Sequence, residues 1–202
     1  MSRPLRVASI GGGPGYELLA MQMFFERFAP GVQLELVSLD LCPSWRKYVE
    51  TLGYRFEHWD IRSGGLLEKL GMAAGDLDYV IISYVLIYCT DNATMDMLAG
   101  LLRDGRVKAI IVSERSERTP GVDMMAARGI TVKKLMDQSL GLDERQSIFT
   151  SDPELLRSTR DGGSGEGALP FEPVFPNVPF SEHKQARQEG GHRLGWRPFH
   201  DR

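Results

Sequence analysis

The sequence has little cysteine, no long apolar run and no excess of either charge. Its 202 residues include two cysteines, Cys42 and Cys89, too few for a disulfide framework or a cysteine-based zinc site and suited to a reducing compartment. No stretch approaches the roughly 18 apolar residues of a membrane span, so no membrane association is expected. The opening MSRPLRVASI runs straight into a strand pattern and leaves no room for a signal or transit peptide. The cytosol or the nucleus is the expected location. A formal net charge of -3 gives no global electrostatic reason to expect nucleic acid, although a local basic patch stays open. Of the four histidines, His183, His192 and His200 are dispersed near the end of the chain, and no metal site is expected from them.

What is present, up to about Thr150, is an alternation of short apolar strands with helical patterns, the pattern of a parallel sheet covered on both faces. LRVASI reads as a first strand, and YELLAMQMFFERF as a helix stopped by Ala29-Pro30-Gly31. VQLELVSLD is a second strand ending in Asp40. PSWRKYVETL is a helix with Pro43 in its first turn and Gly53 as its stop. YRFEHWD is a third strand ending in Asp60, and DYVIISYVLIY, apolar without alternation, reads as a central buried fourth strand. Asp91 caps a helix with Met95, Leu98, Leu101 and Leu102 on one face. VKAIIVSE is a fifth strand, followed by a short helical piece around Val122–Ala127 and two extended runs, ITVKKLM and QSIFTS. The expected fold is α/β, a Rossmann-like three-layer sandwich whose seven-stranded, mostly parallel sheet ends in an antiparallel hairpin.

The glycine-rich turn SIGGGPGYE directly follows the first strand. A P-loop needs a lysine to reach terminal phosphates, and Tyr16 and Glu17 follow Gly15 here. A dinucleotide fingerprint needs a third glycine where Tyr16 stands, and Glu17 opposes a pyrophosphate at the helix N-terminus. The spacing present is G-x-G-x-G, at Gly11, Gly13 and Gly15. With Asp40 ending the second strand, Asp60-Ile61 ending the third and the hairpin ending, this resembles the class I S-adenosylmethionine-dependent methyltransferases over most of residues 5–150. The resemblance implies S-adenosylmethionine as cofactor. It also implies a glycine turn beneath the cofactor, Asp40 and the adjoining Leu41 at the ribose, and Asp60 and Ile61 at the adenine. Ser83 and Tyr84 would border its methionine part. The chain departs from the family at Ser9, two residues before the first glycine, where the family usually carries an acid. Glu17 could compensate, or simply complement the helix dipole.

No catalytic constellation stands out, and methyl transfer needs none, because orientation can supply most of the acceleration. The [DN]-P-P-[YFW] motif of adenine-modifying members is replaced by Ser83-Tyr84-Val85-Leu86. The acceptor, a small molecule, a protein or RNA, is therefore not identified. Tyr84 and Tyr88 either line a methyl-transfer pocket or are aromatic residues of a buried strand and its exit. Glu114 and Glu117 fall at the ligand edge of the sheet, where either could act as base; solvated loop charges are the plainer reading. His58, inside the third strand, reads as structural, and Cys42 as a small apolar filler. Two other functions stay open: a methyltransferase-fold binding subunit without catalysis, and an NAD(P)-dependent oxidoreductase.

Residues 1–160 form the expected methyltransferase-like domain, ending in a short helix DPELLRSTR, and residues 161–202 an extension. DGGSGEGA is a flexible linker by composition. Pro170, Pro173, Pro176 and Pro179 then recur every third residue, the period of a polyproline II helix, with Phe171, Val174 and Phe180 on a second edge and Phe175 and Val178 on the third. Three phenylalanines in ten residues are more than most disordered tails carry. This segment is expected to dock on its own core or on a protein partner.

Overall fold

The computed structural model describes residues 3–115, 120–137 and 144–152. They form β1 (Leu5–Ile10), α1 (Tyr16–Phe28), β2 (Leu34–Asp40), α2 (Arg46–Thr51), β3 (Arg55–His58), α3 (Leu66–Leu70), β4 (Tyr79–Ser83), α4 (Asn92–Arg103), β5 (Ala109–Arg115), α5 (Pro120–Ala127), β6 (Thr131–Asp137) and β7 (Glu144–Thr150). The sheet order is β3-β2-β1-β4-β5-β7-β6. β1 to β5 pair in parallel, and β7 lies antiparallel to both neighbours, β5 and β6. The expected seven-stranded sheet with its reversed ending is therefore present. Glu117, most of the helix expected at 152–160, the glycine linker and the Pro/Phe-rich segment lie outside the described residues.

Helices cover both faces. On one, α3, α4 and α5 pack Leu66, Leu70, Met95, Leu98, Leu102 and Met125 against Val80, Ile82, Ile110 and Phe149 of the sheet. On the other, Leu18 of α1 and Val49 of α2 meet Val7, Leu36, Phe56 and Ile81. Each such side chain, fully buried, contributes about 1.5–3 kcal/mol. Asp91 caps α4 as its sequence suggests, its carboxylate accepting the Thr94 N–H at 2.8 Å. The α3 segment has no counterpart in the sequence reading. Five residues make too short a window for a helical period to show, and the segment is framed instead by Gly65 and Gly71, both left-handed.

β4 ends much earlier than its apolar run suggests. The strand stops at Ser83 because Tyr84 turns into the left-handed region, φ 59°. A 3-10 turn at Leu86–Tyr88 follows. Leu86 is buried because this turn folds back onto the core, and not because the strand continues. Continuous hydrophobicity signals burial without specifying the backbone that achieves it.

Candidate functional site

The strand order reverses between β1 and β4, and the carboxyl ends of these neighbouring strands open into a cleft of about 620 Å³. In an open α/β sheet this is where ligands bind. Its floor is the loop that leads from β1 into α1. At Gly11, φ is +66° and a Cβ would overlap Val85 Cγ2, so the loop can approach the segment after β4 only without a side chain. A Cβ at Gly12 would lie 2.6 Å from Ser38 Oγ and 2.7 Å from Ser9 Oγ, two hydroxyls buried beneath the loop. Gly13, φ +47°, faces open space, with nothing within 4 Å of where its Cβ would be. Gly15 caps α1 in the left-handed conformation and packs toward Val49, Leu52 and Tyr54, away from the cleft.

Asp40 fastens the loop to the end of β2. Its Oδ2 accepts the Gly13 N–H at 2.9 Å and its Oδ1 the Cys42 N–H at 2.8 Å. A carboxylate offers about four lone-pair positions, so both oxygens keep capacity on the cleft side. Leu41 follows, exposed on the wall, and the His58 ring binds its carbonyl oxygen through Nε2 at 3.0 Å. His58 thus orients the wall from the end of β3. Trp45, Trp59 and Ile61 add apolar lining, and Trp59 is fixed by its indole N–H donating to the Gly64 carbonyl at 3.0 Å.

Asp60 stands one residue outside the lining. Its Oδ1 accepts the Arg62 N–H at 2.9 Å and its Oδ2 the Arg62 guanidinium at 2.8 Å. These hydrogen bonds from Arg62 hold its carboxyl below the usual carboxylate range. Opposite them, Ser83, Tyr84, Val85, Tyr88 and Cys89 form the wall after β4. Among the described residues Tyr84 is the non-glycine residue with positive φ, its N–H donating to the Ser113 carbonyl at 2.9 Å. A bulky residue there costs roughly 1–2 kcal/mol, and such strain clusters at functional sites. Tyr84 and Tyr88 are both exposed, which displaces the reading of them as buried-strand aromatics. Burial pushes the Cys89 thiol up.

Of the nine residues that the resemblance places at the cofactor, seven line the cleft: Gly11, Gly13, Asp40, Leu41, Ile61, Ser83 and Tyr84. Gly15 and Asp60 support it from behind. Trp45, Trp59, Arg62 and Cys89 were not singled out for the site; Trp59 was legible as the aromatic residue beside Asp60, whereas Trp45 and Cys89 carry no sequence signal of their position. Tyr16, which stands where a dinucleotide fingerprint has its third glycine, is 56% exposed and also lines the cleft. Glu114, expected as a solvated charge, is buried within β5 and accepts the Leu86 N–H at 2.8 Å. Burial raises its pKa, and backbone hydrogen bonds from Leu86, Ile87 and Val85 only partly offset this.

Solved structures with the same arrangement place the chain in a known fold. It superposes on the citrinin polyketide synthase CMeT domain with a TM-score of 0.55 at 18% identity, over 74% of this chain and 47% of that one. The DszA carbon methyltransferase gives 0.52 at 15% identity, over 74% and 48%.

This is the class I methyltransferase fold.

LepI, solved in complex with SAM, is also similar, with a TM-score of 0.51 at 10% identity over 73% of this chain and 43% of that one. The chain spans about half the length of these methyltransferase-fold structures or less. No family model and no curated protein matches the sequence. Among the described residues no helix is long and apolar enough to cross a membrane, and no group of three His, Cys, Asp or Glu residues could hold a metal ion.

Proposed function

We propose that the cleft binds S-adenosylmethionine and that the domain transfers its methyl group to an acceptor entering past Tyr84 and Tyr88. The observation that carries this is the charge of the lining. Among the described residues its carboxylates are Glu17 and Asp40, and its one cationic side chain, Arg62, is bonded to Asp60. A pyrophosphate would meet carboxylates without a cation to balance it, whereas a phosphate-free nucleoside carrying a sulfonium and an ammonium group suits acidic walls. That disfavours a nicotinamide dinucleotide on grounds of charge.

The residues present fit the cofactor. Asp40 has acceptor capacity left for the ribose hydroxyls, and Gly13 leaves open space over the loop. Leu41, Ile61 and Trp59 give a flat apolar surface for an adenine. Asp60, engaged by Arg62, acts on that wall by capping the turn that presents Ile61. Bound there, S-adenosylmethionine supplies a methyl group already activated for transfer, which leaves the chain the task of holding and orienting the two reactants. The wall after β4 does this from the acceptor side. Its backbone is fixed by the Tyr84–Ser113 bond and by Glu114 bonded to the Leu86 N–H.

A thermal-shift titration tests the reading. A ligand that binds only the native state stabilises it by about 2.7 kcal/mol at a hundredfold excess over its Kd. S-adenosylhomocysteine raises the melting temperature and NAD does not. A shift with NAD alone at millimolar ligand would reverse the assignment.

A further inference from the structure

Two acids stand beside the apolar wall of the cleft, and they differ in the bonding capacity they have left. Asp40 accepts one backbone N–H on each oxygen, from Gly13 and Cys42, which leaves about half of a carboxylate's four lone-pair positions. Asp60 is filled. Its Oδ1 accepts the Arg62 backbone N–H at 2.9 Å and Nε at 3.1 Å, and its Oδ2 accepts Nε at 3.2 Å and Nη2 at 2.8 Å. Asp60 lies outside the lining, whereas Arg62 lies within it, its side chain 60% exposed. Among the described residues the Nη1 donors of Arg62 are unused.

We infer that Arg62, and not a carboxylate, meets the six-position edge of a purine held on this wall, so that the cleft takes a 6-oxo purine nucleoside as readily as adenosine. This rests on the cleft's binding S-adenosylmethionine, and it names the part of that cofactor which goes unread, the 6-amino group.

The side chains of the wall, Leu41, Trp45, Trp59, Ile61 and Arg62, include no hydrogen-bond acceptor. The Leu41 carbonyl beside them is occupied by His58. To reach Asp60, the amino group of an adenine, a neutral donor, would have to displace a charge-assisted guanidinium fork. Exposure weakens that fork, but Asp60 Oδ1 also holds the Arg62 backbone N–H, so the turn Ile61–Ser63 that it caps anchors the pair. Arginine donors match the O6 and N7 acceptors of a 6-oxo purine, whereas a carboxylate accepts from an exocyclic amino group. Adenine still offers N7 to a donor, and contact with an aromatic, apolar wall does not depend on the edge of the base. Both bases therefore find the same partners.

Isothermal titration calorimetry of the full chain at neutral pH tests this with S-adenosylhomocysteine and its 6-oxo analogue, S-inosylhomocysteine. The wild type binds the analogue no more than threefold more weakly. Arg62→Ala, at an exposed site, keeps the backbone N–H on Asp60 Oδ1 and unmasks Oδ2. Its affinity ratio moves at least fivefold toward S-adenosylhomocysteine, the low end of what a matched edge contact discriminates. A wild-type deficit for the analogue larger than threefold overturns the inference and leaves the cleft assignment standing. A smaller movement of the ratio in Arg62→Ala, with an unchanged circular dichroism spectrum, overturns it as well. Binding of neither ligand to the wild type overturns the cleft assignment itself, and the inference with it.

Discussion

Asp78, at the amino-terminal edge of the sheet, and Glu114, at its carboxyl-terminal edge, are both buried carboxylates in one core, but their bonding differs. Asp78 Oδ1 accepts from Arg3 and Lys108, at 2.8 and 2.9 Å, and its Oδ2 from Arg3 and the Arg6 N–H, at 2.8 and 3.0 Å. Glu114 accepts the Leu86 N–H on Oε1, while its Oε2 has no hydrogen-bond partner. Ser9 and Ser38 repeat the pattern. Their buried hydroxyls are likewise unbonded, and both stand within the last three residues of their strands. Among the described residues every buried side-chain oxygen or nitrogen without a partner thus lies toward the ligand edge. One edge of the sheet bonds both oxygens of its buried carboxylate, and the other holds buried oxygens with no partner within the protein.

The sharpest way to break this contrast is to remove Asp78. Asp78→Ala leaves the Arg6 N–H without its acceptor and releases Arg3 and Lys108, which are exposed enough to be rehydrated. A loss of about 2–3 kcal/mol is expected in a denaturant titration, without any change in cofactor affinity once the protein is folded. At the other edge Asp40→Ala reverses the balance. Affinity for S-adenosylhomocysteine falls tenfold or more, since hydrogen bonds to a charged group contribute roughly 1.5–3 kcal/mol. Stability falls by less than for Asp78→Ala, because Asp40 is half-buried and the released N–H groups of Gly13 and Cys42 can reach water.

The pH dependence of the two buried acids runs in opposite directions. Burial works to raise the Asp78 pKa, but the Arg6 N–H, Lys108 and Arg3 outweigh it and hold the group below its ordinary 3.8. Its stabilising contribution is therefore present above about pH 3.8 and lost as pH falls through the lowered value. Glu114 is raised above its ordinary 4.5. Its contribution is complete below pH 4.5 and lost as pH rises through the raised value. Glu114→Gln removes that loss, so the variant's stability relative to wild type improves between pH 4 and pH 8. A wild-type-like slope in urea midpoints across that range would place Glu114 in water. The smallest effect belongs to Gly13→Ala. Its Cβ meets nothing within 4 Å, leaving only the positive φ, a cost of about 1 kcal/mol. Gly11→Ala adds to that the collision with Val85, so a melting-temperature loss clearly larger than for Gly13→Ala is expected.

Much of this edge was legible because its residues act through the backbone. The G-x-G-x-G spacing marks a loop that needs positive φ at Gly11, Gly13 and Gly15, and all three adopt it. Asp40 was legible as the acid that ends β2, and Asp60 as an acid near the end of β3, although that strand stops at His58 and Asp60 caps the turn beyond it. What they bind was not, because the Gly13 and Arg62 partners depend on how a loop and a turn close in space. Tyr84 was hidden by its own hydrophobic neighbours, since an apolar run gives no sign of the residue at which the backbone turns left-handed. Glu114 was read as solvated because strand ends usually are; the 3-10 turn at Leu86–Tyr88 that buries it follows from that same unseen turn. The glycine turn before it and Ala29-Pro30-Gly31 after it bounded α1 at Tyr16–Phe28, yet a helix this apolar does not declare which of its sides faces the sheet.

Isothermal titration calorimetry of the full chain with S-adenosylhomocysteine, repeated on Asp40→Ala, tests the assignment of the cleft most directly. The account predicts a single site per chain in the wild type, at least tenfold weaker binding in the folded variant, and no heat of binding with NAD. Equal affinity in the two proteins, or binding of NAD in place of S-adenosylhomocysteine, would contradict it.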